Sequence, residues 1–90
     1  MNKLIAVVFG VLFLAGCASN RPPAQNIDPA RHPYLARAQR LCADAFYRIS
    51  AAQEANEFDM GGHAQKAKDL LVQAGDELKQ AALTANSNRR

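Results

Sequence analysis

Ninety residues leave room for one small domain, and a formal net charge of +3 is too weak an excess to argue for a nucleic-acid partner. Aromatic residues make up 7%, tryptophan is absent and alanine is abundant. Alanine is the best helix former and offers little bulk to fill a sandwich core, so the composition argues against a β-sandwich and for an all-α chain.

The chain opens with Met1-Asn2-Lys3, a short positive start, and continues from Leu4 to Leu14 as an apolar run interrupted only by Gly10. This is the layout of a secretory signal peptide. A membrane-spanning helix needs about 20 apolar residues, and here the polar Ser19-Asn20-Arg21 arrives too early for a comfortable span. The segment is therefore expected to be removed rather than retained.

At its end, Leu14-Ala15-Gly16-Cys17 resembles the lipobox of bacterial lipoproteins. That resemblance implies cleavage before Cys17, diacylglycerol on its thiol, and usually a further acyl chain, palmitate in type, on the new amino group. Each buried CH₂ contributes about 0.8 kcal/mol, so two or three chains make membrane attachment effectively permanent. The covalent lipid on Cys17 is the only cofactor expected. Ala18 and Ser19 lack the Asp that resembles an inner-membrane retention signal, so the expected address is the periplasmic face of the outer membrane. Without Lys3 the mature chain carries ten basic and eight acidic residues, a net +2.

From Cys17 to His32 the sequence is polar, with Pro22, Pro23 and Pro29 and no apolar period. It reads as a flexible linker, able to hold a domain up to roughly 40 Å from the bilayer. The domain itself is expected over 33–85, and 86–90 as a disordered tail. Leu35, Ala38, Cys42, Ala45, Ile49, Ala52 and Asn56 alternate spacings of three and four, the mark of one stripe on a helix, and Pro33 suits a first turn. Met60, Ala64, Ala67, Leu71, Ala74, Leu78, Ala81 and Ala85 repeat the pattern. Two helices, approximately 33–57 and 60–85, are predicted. Between them lie the only adjacent glycines, Gly61-Gly62, with Asp59 as a reasonable N-cap. A short connection makes the helices antiparallel neighbours, with Ile49 at the level of Leu71 and Cys42 at that of Leu78.

The large apolar residues Tyr34, Leu41, Phe46, Leu70 and Leu83 do not sit on these stripes. A lone hairpin has no third layer to cover them, so they form the expected interaction surface for a homodimer or an envelope protein. Arg37, Arg40 and Arg48 stand on the first helix, and Asp69, Asp76 and Glu77 at matching heights on the second. Arg40/Asp44 and Asp44/Arg48 also have i, i+4 spacing. Cys42 would be the sole cysteine left after lipidation, placed on the seam, where burial as a small hydrophobe is favoured over an intermolecular bridge.

No constellation for catalysis is visible: there is no nucleophile beside an orienting base, no phosphate loop and no metal-ligand spacing. His63 at the turn and His32 at the opposite end are too far apart to share a metal, and no metal site is expected. The sequence thus points to a non-enzymatic, lipid-anchored structural or interaction protein acting through its helix faces. One alternative is weak, non-covalent peptidoglycan contact. A lipobox followed by an alanine-rich helical chain resembles the murein lipoprotein family, although that family ends in the lysine it links to the wall and this chain ends in Arg89-Arg90. The other alternative is a small metal- or ligand-binding module centred on His63 at the helix turn.

Overall fold

A computed structural model describes residues 20–56 and 60–88. The expected leader and lipobox lie outside them, as does the expected N-cap Asp59. Two α-helices form an antiparallel hairpin: α1, Pro33–Ala55, and α2, His63–Asn88. Cross-helix bonds fix the register: Gln39 Nε2 donates to Gly75 O (2.9 Å), and Lys68 Nζ to Gln53 Oε1 (2.8 Å). At the open end His32 Nε2 meets Asn86 Oδ1 at 2.8 Å. Gln53/Lys68 and His32/Asn86 stand within about two residues of the levels predicted from the two stripes, whereas Gly75 lies five to six residues from the level predicted for Gln39.

Proline at the first turn starts α1, where its missing N–H costs no hydrogen bond. An Asx turn leads into it: Ala30 N donates to Asp28 Oδ1 (2.9 Å), and the amides of Arg31 and His32 donate to Asp28 O. Gly61 (φ 65°) and Gly62 (φ 76°) both adopt the left-handed conformation that breaks a continuous rod. That conformation also moves the start of α2 to His63, three residues later than predicted. The far end departs in the other direction. Helix α2 continues to Asn88 because Asn86 is tied to His32, so part of the expected disordered tail is ordered.

Residues 20–32 depart furthest from expectation. They do not stand off as a linker but lie along the hairpin as a strap, with Pro23 and Ile27 buried. Asn26 is its main fastening. Its amide donates to Gln39 Oε1 (2.8 Å), its side-chain oxygen accepts from Gln39 Nε2 (3.0 Å), and its carbonyl accepts from Lys79 Nζ (2.8 Å). Gly75 makes room, since a Cβ there would sit 3.3 Å from Pro23 Cβ and 3.4 Å from Ala24 N.

The strap also changes which residues are inside. The buried positions of α1 are Gln39, Ala43, Phe46 and Gln53, and those of α2 are Lys68, Asp69, Gly75 and Ala82. Apart from Asp69, each stands one residue after a predicted stripe position, a turn of about 100° on both helices. The physical reason is Phe46, whose ring gains most from burial, together with a third layer that supplies hydrogen-bond partners for Gln39, otherwise too costly to bury.

Candidate interaction face

The strap side of the hairpin is polar inside and fully bonded. Gln39, 1% exposed, is a hub joining strap and α2 through three bonds. Further toward the turn, Lys68 bonds Gln53 and places its ammonium 4.8 Å from the centroid of the Phe46 ring. Gln65 donates to Asp69 Oδ1 at 3.0 Å and approaches Gln53 at 3.5 Å. Among the described residues no buried side-chain nitrogen or oxygen lacks a partner.

Two open clefts of roughly 400 Å³ lie on this side. One runs between the strap and the start of α1, lined by Ile27, Pro29, Pro33, Ala36, Arg37 and Arg40 among others. The other brings Asn20 beside Phe46, Tyr47, Gln53, Gln65 and Lys68. Among the described residues no group of three His, Cys, Asp or Glu gathers to hold a metal ion. His63 and His32 belong to opposite ends of the hairpin.

The predicted stripes occupy the opposite side. Stepping back one residue from the buried row turns 100° on each helix, and because the helices are antiparallel the two turns lead to the same face. Leu35, Ala38, Cys42, Ala45 and Ile49 on α1 are half-buried there, as are Ala67, Leu71, Ala74, Leu78 and Ala85 on α2, with Ala52 and Ala81 exposed. None of these residues carries a charge. Most of the surface of the half-buried residues is already covered within the chain, and a smaller part stays open. Cys42 is free and half-buried in the middle of this face, short of the full burial expected.

Of the five apolar residues expected on the surface, Tyr34 (89% exposed), Leu41 (54%), Leu70 and Leu83 are exposed. Phe46 is not; at 3% exposure it is core, because the buried row passes through it. Tyr34, Leu41 and Leu70 border the uncharged face, whereas Leu83 stands on the strap side by its helical position. The expected ion pairs do not form: Arg40, Asp44 and Arg48 are not joined, and Asp69 takes Gln65 instead of an arginine. Exposed pairs of this kind contribute at most about 1 kcal/mol, too little to dictate geometry.

Sequence reasoning missed the Gln39 hub and the strap. Gly75 was the available signal. It is the one glycine inside either helix, and a helical glycine costs about 1 kcal/mol relative to alanine unless another backbone must come close. No protein-family model, curated protein or solved structure matches the chain. Among the described residues no helix is long and apolar enough to cross a membrane.

Proposed function

We propose that this chain is a lipoprotein of a bacterial outer membrane, anchored through lipid on Cys17 and facing the periplasm, whose hairpin acts as a structural or protein-interaction element. The observation that carries the interaction role is the uncharged alanine and leucine face, open on the side that the strap leaves bare. Alanines on it let another helix approach toward the short end of the usual 8–10 Å separation, while Leu71, Leu78 and Ile49 supply the apolar area. The anchor rests on Leu14-Ala15-Gly16-Cys17 behind a complete leader. Its occupant is a second copy or another envelope protein.

Sedimentation of residues 18–90 over a range of concentrations, with and without reductant, tests the reading alongside cross-linking of the full chain in membranes. Association that survives reductant and disappears in Leu71→Glu, with helicity unchanged, is the expected result. A monomer at every concentration, together with no cross-linked neighbour in the membrane, would remove the support for it.

A further inference from the structure

The strap has a consequence for how an anchored hairpin sits. The linker expected from the sequence would let the domain wander up to roughly 40 Å from the lipid. In the fold, residues from Asn20 onward are laid back along the helices, so only three residue steps separate Cys17 from the domain. Fully extended, three steps span about 10–11 Å.

The point of departure is equally defined. Asn20 lies beside Phe46, Tyr47, Gln53 and Lys68, on the strap side and in the half of the hairpin nearer the turn. The uncharged face is on the other side. To lay that face on the lipid, the connection from Cys17 would have to pass around a helix of about 10–12 Å diameter as well as the strap lying on it. A span of about 10–11 Å is too short for that path.

We propose that the docked strap is a short leash that holds the hairpin on the lipid surface strap side down and turns the uncharged face away from the bilayer. The proposal rests on lipidation of Cys17. It requires no membrane-binding residues: the leash alone sets proximity and orientation. It also restricts the occupant of the uncharged face to something reached from the periplasm, which bilayer lipid is not.

The test uses the full chain, expressed with its leader and reconstituted in phosphatidylethanolamine/phosphatidylglycerol vesicles. Ala52 and Glu54 are exposed, two residues apart at one level of α1, and on opposite sides of the hairpin by their helical positions. Single cysteines, Ala52→Cys or Glu54→Cys in a Cys42→Ala background, carry a fluorophore, and a headgroup nitroxide lipid is the quencher. Quenching several-fold stronger at position 54 than at 52 is expected. Inserting about twelve Gly and Ser residues between Ser19 and Asn20, which leaves the fold untouched, lengthens the leash to roughly 20 Å root-mean-square and should erase the difference.

Equal quenching at the two sites, stronger quenching at 52, or a contrast that survives the insertion would each overturn the leash. Flotation and palmitate incorporation, compared with Cys17→Ser, separate this from the underlying reading. A chain that carries no lipid overturns both, whereas a lipidated chain with equal quenching overturns the leash alone.

Discussion

Replacing Gln39 by alanine removes three hydrogen bonds at once: one from Asn26 N, one to Asn26 Oδ1 and one to Gly75 O. Each is worth about 0.5–1.5 kcal/mol net. Gly75 O lies within α2 and keeps its place in the helical ladder, but the Asn26 amide has Gln39 as its acceptor and is left without it. The sum is about 3 kcal/mol. A domain of this size has only about 3–5 kcal/mol in total, so the variant should lie close to its unfolding midpoint in water. Urea titration of residues 18–90, followed by circular dichroism at 222 nm with an osmolyte to extend the native baseline, measures the loss. Hydrogen exchange locates it: the Asn26 amide should be protected in the parent and exchange freely in the variant. Gln39→Leu keeps the volume and avoids a cavity, so it should cost about 1 kcal/mol less while still freeing Asn26. If Gln39→Ala cost under about 0.5 kcal/mol, or the Asn26 amide stayed protected, the strap would not be fastened by this side chain and the reasoning from the hub would fail.

Gly75→Ala should cost little or nothing in residues 18–90, where helix propensity and the crowding of Pro23 oppose one another. The same change should stabilise a chain begun at residue 29 by about 1 kcal/mol, and paired urea titrations measure the difference. Gly62→Ala forces a side chain into φ 76° and should lower stability by about 1–2 kcal/mol, seen as a fall in thermal midpoint. Phe46→Ala empties the centre of the buried row and, at about 3–5 kcal/mol, should leave the chain largely unfolded by circular dichroism. Leu41→Ser, on the border of the uncharged face, should leave the urea midpoint within about 0.5 kcal/mol of the parent and weaken association measured by sedimentation.

Helix identity, the antiparallel register and the turn were all legible, because spacings of three and four and a Gly-Gly pair are local signals. The direction in which each helix faces was not. Ala38-Cys42-Ala45-Ile49 is the more apolar row, and a rule that places apolar residues inside selects it. The row that is buried, Gln39-Ala43-Phe46-Gln53, is half polar, and its burial depends on partners elsewhere in the chain. Gln39 is satisfied by Asn26, thirteen residues away in a stretch with the composition of a linker. Such a segment gains little from apolar area, having Pro23 and Ile27 alone buried, so hydropathy gives no sign of its docking. Its attachment lies in hydrogen bonds to Gln39, Lys79 and Asn86, which have no periodicity to detect.

The same trade explains why an apolar face remains uncovered. Two helices and one strap supply a third layer on one side only, and that layer consumes the large aromatic and the polar partners. What is left opposite are alanines, leucines, one isoleucine and Cys42. Leu41 and Leu70 keep roughly half their area open and Leu35, Ile49, Leu71 and Leu78 a smaller share, worth on the order of 1 kcal/mol apiece if covered. Two copies meeting through this face would gain on the order of 12 kcal/mol against an association cost of about 4–15 kcal/mol. The face is therefore near balance for free chains in solution. Under the proposed anchor, two copies on one membrane surface would each hold this face outward on a short leash; the faces then point the same way and cannot meet, which leaves the face to another periplasmic protein. A weak, concentration-dependent self-association of residues 18–90, lost in the anchored chain in favour of a different periplasmic partner, is the behaviour that this arrangement of strap, proposed anchor and open face requires.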